Sequence, residues 1–176
     1  MNKELKLQLG SGRRYKEGYV NLDNNKNIKA DLYRDVTRGL PCGHNIFDEI
    51  LTEHFLEHFN GDDFVFIMNE CWRTLKPSGI LKIIVPDMNF PTAWIDPDHK
   101  RFFNLLSFNF WLVADYNSQT AGVQGFFKPL VMKSSDNGEL IFEFECLKNE
   151  DGSMMLLGTM EATDLVNKVI EEGLKK

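Results

Sequence analysis

The chain has 176 residues, 43% hydrophobic and 26% charged, with a net charge of −6. These proportions fit one globular domain spanning 1–176 and exclude a disordered, collagen-like or disulfide-scaffold chain. The acidic balance argues against nonspecific nucleic-acid binding, which draws on clustered Lys and Arg.

Leu5, Leu7 and Leu9 alternate with Lys6 and Gln8, the period of a strand, and Gly10-Ser11-Gly12 ends it. Residues 19–23 read as a second strand closing on Asp23, residues 28–36 as a short third ending near Asp35, and 47–51 as a fourth. Only about ten residues separate the first two strands, near the lower limit of a parallel crossover, so any helix between them is one turn or absent. Phe64, Ile67, Met68, Cys71, Trp72 and Leu75 make one apolar helical stripe. Asn60 suits its N-cap, and Asp62 and Asp63 suit the first turn. Lys76-Pro77-Ser78-Gly79 closes that helix.

Residues 80–85 are almost all apolar, as a central strand covered on both faces requires. A helix is expected over 100–113, crowded with Phe102, Phe103, Leu105, Leu106, Phe108, Phe110 and Trp111. Strands over 126–133 and 139–147 flank Asn137-Gly138, a strong hairpin signal. Leu165, Val166, Val169 and Ile170 predict a short C-terminal helix over 162–174, within a tail that runs from 149. Strands alternating with helices and ending in a hairpin predict an α/β fold with a mostly parallel sheet and an antiparallel edge. No apolar run reaches the roughly 18–20 residues that cross a bilayer, and Met1 to Lys6 lacks a signal peptide's apolar stretch. Cys42, Cys71 and Cys146 are widely spaced and read as free thiols, so a cytoplasmic protein is expected.

Two segments could carry chemistry. Glycines in Gly10-Ser11-Gly12 let the backbone approach a ligand closely, and a carboxylate at Asp23 can accept from both hydroxyls of a ribose. His54-Phe55-Leu56-Glu57-His58 also reads His-x-x-Glu-His, which on a helix would offer two imidazoles to zinc. Aromatic residues Trp94, Phe102, Phe103, Phe108, Phe110 and Trp111 are either core or the wall of an acceptor pocket.

Leu7-Gln8-Leu9-Gly10-Ser11-Gly12 followed by Gly18-Tyr19-Val20-Asn21-Leu22-Asp23 resembles the opening of class I methyltransferases that use S-adenosylmethionine. It is most similar to a small subgroup with a shortened link between its first two strands. Further matches follow in order: Asp35 with Leu40-Pro41, Phe47-Asp48-Glu49-Ile50, His54 to His58, Leu75-Lys76-Pro77-Ser78-Gly79, Pro86-Asp87, and Asp96 to Phe103. The resemblance covers about 5–147. It implies a Rossmann-like sheet and S-adenosylmethionine as cofactor, with S-adenosylhomocysteine as product. It assigns cofactor contacts to Gln8, Leu9, Gly10, Ser11, Gly12, Asp23, Asp35, Val36, Glu53 and His54. The acceptor is expected to be a small molecule, without nucleic-acid or membrane partners. His54 is the first candidate for a catalytic base, with Asp87 and His99 as alternatives. No metal is assigned.

Two positions depart from the family pattern. Gln8 stands where an acid is usual, and Arg14 where a third glycine is usual. The rival readings are a noncatalytic nucleoside-binding protein and a zinc hydrolase built on His54, Glu57 and His58.

Overall fold

The computed structural model describes residues 3–174. Seven strands form one sheet: β1 (Lys6–Leu9), β2 (Val20–Asp23), β3 (Leu32–Tyr33), β4 (Phe47–Glu53), β5 (Leu75–Pro86), β6 (Phe127–Ser134) and β7 (Glu139–Cys146). Their spatial order is β3-β2-β1-β4-β5-β7-β6. The helices are α1 (Gly61–Thr74), α2 (Asn109–Leu112), α3 (Tyr116–Thr120) and α4 (Thr159–Leu174). No helix among the described residues is long and apolar enough to cross a membrane.

β1 pairs in parallel with β2 and β4, β2 with β3, and β4 with β5. β7 is antiparallel to both β5 and β6, so it alone is reversed. The hairpin is therefore present, but its reversed strand is not the edge. Leu140, Phe142, Phe144 and Cys146 of β7 are all buried, and lying between β5 and β6 pairs that strand on both sides.

The core occupies one face. Leu7, Leu9, Ile50, Leu81, Ile83, Val85, Phe142 and Phe144 share it by register and are buried. α1 lays Phe64, Ile67, Met68 and Cys71 on this core, α2 adds Trp111 and Leu112, and α4 adds Ala162, Val166 and Val169. Each Leu, Ile, Val, Phe or Met among them contributes about 1.5–3 kcal/mol when fully buried. Asn60 caps α1 as expected, accepting from the Asp63 N–H at 3.1 Å.

The opposite face differs from the sequence expectation. Ile80, Lys82, Ile84, Ile141, Glu143 and Glu145 point that way and are only partly buried. β5 is thus not covered on both faces. The link between β1 and β2 forms no helix and crosses this side as a loop. Tyr19 in that loop donates to Glu49, and Lys82 and Lys6 pair with Glu49 at 3.1 and 3.6 Å.

The helix expected over 100–113 shrinks to α2. The Met88 N–H donates to the Phe103 carbonyl at 2.8 Å, drawing that residue toward the end of β5. The Leu106 N–H donates to Asn104 Oδ1 at 2.9 Å, and the Asn104 N–H to Ser107 Oγ at 2.8 Å. Such local side-chain bonds compete with helical ones. Lys76-Pro77-Ser78-Gly79 does end α1, but β5 starts at once and carries those residues, with a register shift opposite β4.

Glu70 of α1 fastens the segment before β4. It accepts from the Leu40 N–H at 2.7 Å and from Arg73 Nε and Nη2 at 2.6 and 2.7 Å. Burial alone would raise its pKa, but the bonds from Arg73 and Leu40 outweigh burial and hold it below the usual value. A carboxyl depressed on folding contributes stability above its unfolded pKa and loses it as pH falls through the folded one. Glu70→Gln is expected to lower the melting temperature near pH 7 and to shrink the loss that wild type shows between about pH 5 and pH 3. Equal acid-induced losses in both proteins would contradict this role.

Candidate active site

The parallel strands all end on one edge of the sheet. From β1 the chain winds outward to β2 and β3, then returns beside β1 as β4. Open α/β sheets bind ligands outside the strand carboxyl ends at such a reversal. Gly10-Ser11-Gly12 leaves β1 at that point. Gly10 has φ +63°, and a Cβ there would collide with the Phe55 ring, so the position requires glycine.

Asp23, at the tip of β2, is tied to this turn. Its Oδ2 accepts from the Gly12 N–H and its Oδ1 from the Asn25 N–H, both at 2.8 Å. Each oxygen keeps further acceptor capacity. Asp35 caps the 3-10 turn at Val36–Arg38, accepting from Thr37 Oγ1 at 2.7 Å and the Thr37 N–H at 3.0 Å. Those bonds hold its carboxyl below the ordinary range.

Asp23, Asp35 and Val36 come together in one cleft with Leu22, Asn24, Arg34, Phe55 and Phe59. The cleft holds about 40 Å³, against roughly 300–1,000 Å³ for small-molecule sites. Phe55 and Phe59, packed edge to face at 4.8 Å, are the side chains that narrow it. Neither was read from the sequence as a site residue. The signal available was two aromatics directly following a strand at the sheet reversal.

Gln8 and Ser11 are buried beside the same turn, and Gln8 Oε1 and Ser11 Oγ have no hydrogen-bond partner among the described residues. Orphaned buried polar atoms call for a polar ligand group or water. Leu9 is wholly buried, so only its backbone can face a ligand. Glu53, at the tip of β4, pairs with Arg14. The family's third glycine serves close helix–strand packing. No helix follows Gly12 here, so the arginine fits without strain.

His54 leaves β4 with φ +51°. Its Nε2 lies 2.8 Å from Glu139 Oε1, and its Nδ1 3.5 Å from Glu57 Oε1. Contact with Glu57 raises its pKa, burial opposes this, and Glu139 raises it further. Leu56–His58 form a 3-10 turn rather than an α-helix, so His54 and His58 do not share a helical face. His99 packs edge to face against His58, with ring centroids 5.1 Å apart.

Asp87 follows β5 and is 4% exposed. Its Oδ1 accepts from the Asn89 N–H and Nδ2, both at 2.9 Å, and its Oδ2 from Ser134 Oγ at 2.8 Å. Asp87, Asn89, Asn104, Leu105, Leu106, Ser134, Asn167 and Ile170 line an open cavity of about 540 Å³. Of the aromatic group, Phe103, Phe108 and Trp111 are core, while Trp94 and Phe102 stack at the surface with centroids 4.0 Å apart.

A family model described as a methyltransferase domain matches residues 15–83. Over that segment the chain is similar to methyltransferase domains. Its fold resembles the YcgJ protein of Bacillus subtilis, at 15% identity and a TM-score of 0.55 over 84% of this chain and 93% of that one. It also resembles a SAM-dependent methyltransferase from Archaeoglobus fulgidus, at 18% identity and a TM-score of 0.56 over 81% and 86% of the two chains. A third likeness is to phosphoethanolamine N-methyltransferase 1 of Haemonchus contortus, solved with phosphoethanolamine and S-adenosylhomocysteine. That match has 10% identity and a TM-score of 0.61, over 96% of this chain and 43% of that one. No protein of curated function matches this chain by sequence.

Proposed function

We propose that this chain is a methyltransferase that holds S-adenosylmethionine at Gly10–Gly12, Asp23 and Asp35, and methylates a small-molecule acceptor seated beside Asp87. The carrying observation is the bond from the Gly12 N–H to Asp23. It sets a glycine turn and a carboxylate side by side at the sheet reversal, where a nucleoside is recognised. When bound, the cofactor supplies an electrophilic methyl group on a sulfonium. Asp23 suits the ribose hydroxyls and Asp35 the adenine edge. Gln8 Oε1 and Ser11 Oγ suit the amino-acid portion. Phe55 swings off Gly10 to admit the ligand.

The acceptor side is an apolar wall with convergent polar groups, the usual make-up of a small-molecule pocket. Leu105, Leu106 and Ile170 supply the wall; Asp87, Asn89, Asn104 and Asn167 supply the polar groups. Most of the rate comes from positioning. The two Asn89 bonds and the Ser134 bond fix the Asp87 carboxylate and leave one Oδ2 site to take the acceptor's proton. His54, with a carboxylate near each nitrogen, suits an orienting role better than that of a free base.

Methyl-tritiated S-adenosylmethionine, incubated with the enzyme and a cell extract, should label small molecules. Leu105→Trp, which fills the cavity, should cut that labelling at least about tenfold while S-adenosylhomocysteine affinity stays unchanged. Label confined to protein or nucleic acid, or undiminished labelling by Leu105→Trp, contradicts the acceptor assignment.

Asp35→Asn keeps an oxygen but loses the charge that strengthens its bonds. The expected loss of S-adenosylhomocysteine affinity is about three- to tenfold by calorimetry, smaller than for Asp23→Ala. A reversed order of the two effects would exchange the roles of the acids.

A further inference from the structure

We propose that Glu57, His58 and His99 form a site for one divalent metal ion of the zinc class. The argument starts from Glu57. Its side chain is 1% exposed, and among the described residues neither carboxylate oxygen has a hydrogen-bond partner, the His54 Nδ1 contact at 3.5 Å being a long ion pair to Oε1 alone. A buried carboxylate left so is costly unless it gains a cation or a proton. One ligand atom from each of Glu57, His58 and His99 lies within 4.8 Å of the other two. His99 Nε2 is 4.0 Å from Glu57 Oε1.

The histidines are set for coordination by their other nitrogens. His99 Nδ1 lies 2.8 Å from the Ala93 carbonyl oxygen, and His58 Nδ1 lies 3.3 Å from that of Asp98. A carbonyl only accepts, so in each ring Nδ1 carries the proton and Nε2 is the nitrogen left to bind an ion. A backbone carbonyl on the far nitrogen is the usual support of a metal-binding histidine. Two histidines and one carboxylate are a zinc set of the kind that keeps a further position open. Glu57 is the buried member and both histidines are partly exposed, so that position opens on the histidine side.

Zinc bonds of about 2.0–2.1 Å at tetrahedral angles set ligand atoms about 3.3–3.4 Å apart, so the widest pair needs to close by up to about 1.5 Å, within reach of side-chain rotation. The neighbouring titratable groups are His54, with Nδ1 3.5 Å from Glu57 Oε1, and Asp96, with Oδ2 3.9 Å from His99 Nε2. The backbone already joins the same two segments: the Lys100 and Arg101 N–H groups donate to the Glu57 carbonyl at 2.8 and 3.1 Å. The ion would fasten the loop after β5 to the turn after β4. The pair involved is His58 with His99, rather than the His54 and His58 that the His-x-x-Glu-His spacing suggests.

Chelator-stripped protein titrated with zinc chloride by calorimetry tests the site, with cobalt(II) as a spectroscopic probe. Wild type should take up one zinc per chain, melt at a higher temperature with it, and give the intense visible cobalt bands of a four-coordinate site. Glu57→Gln, which keeps the shape of the buried side chain, should weaken zinc at least about 100-fold, and His99→Ala should do the same. His54→Ala should change zinc affinity less than about tenfold, since His54 is outside the set. Absence of zinc uptake by wild type would overturn the proposal. So would zinc affinity unchanged in Glu57→Gln, which would place the ion elsewhere. Should His99→Ala fail to fold, Glu57→Gln alone decides.

Discussion

Asp23→Ala is expected to weaken S-adenosylhomocysteine binding at least tenfold while the protein stays folded. Two ribose hydroxyls donating to a carboxylate are worth roughly 1.5–3 kcal/mol each, and about 1.4 kcal/mol is a factor of ten. The substitution also removes the acceptor that holds Gly12 and Asn25, so the glycine turn loses its anchor along with the ligand. Both effects act in the same direction. Calorimetry on wild type and variant checks it, with circular dichroism to confirm folding. Equal affinities would remove the ribose from Asp23.

Lys148→Met is expected to cost about 2–4 kcal/mol of stability, the largest effect anticipated away from the cofactor site. Lys148 Nζ donates to the carbonyls of Leu75 at 2.6 Å and Arg73 at 3.1 Å, and to Asn45 Oδ1 at 2.7 Å. It also lies 4.5 Å from the centre of the Trp72 ring. The carbonyls belong to the C-terminal end of α1, where a cation complements the helix dipole. Burial lowers the Lys148 pKa, the opposing cost of bringing an ammonium inside. Methionine fills the space but leaves these acceptors without their donor. Urea unfolding should show a lower midpoint at unchanged slope. A loss below about 0.5 kcal/mol would mean that water replaces the ammonium at no cost.

The sequence was most informative where one segment carried its own pattern. The stripe from Phe64 to Leu75 and the cap at Asn60 led directly to α1. Leu140, Phe142 and Phe144 led to β7 in the same way. Gly10, Gly12, Asp23, Asp35 and Val36 stood out as candidates because each sits at or just beyond a strand tip, and the fold brings the three last into one cleft.

What escaped depends on contacts distant in sequence. Phe103 is held by Met88, so an apolar run that looks helpful to a helix became irregular chain. Ile80 and Ile84 look like a strand covered twice, yet they are only partly buried, and the link from β1 to β2 is too short to supply a covering helix. Lys148 reads as a surface charge beside Leu147 until α1 is seen to end against it. His99 is forty-one places beyond His58 in the numbering, and only the paired tips of β4 and β5 bring them together. The signal for α3 was present but small: Asp115 and Ser118 form a capping box over a five-residue helix.

A crystal structure with S-adenosylhomocysteine tests the cofactor placement most directly. The ribose hydroxyls should lie within about 3.2 Å of the Asp23 carboxylate. The adenine should occupy the cleft between Asp35 and Phe59, with Phe55 moved off Gly10 and the amino-acid end near Gln8 and Ser11. A nucleoside bound away from Asp23, with the Phe55 ring still against Gly10, would contradict the assignment.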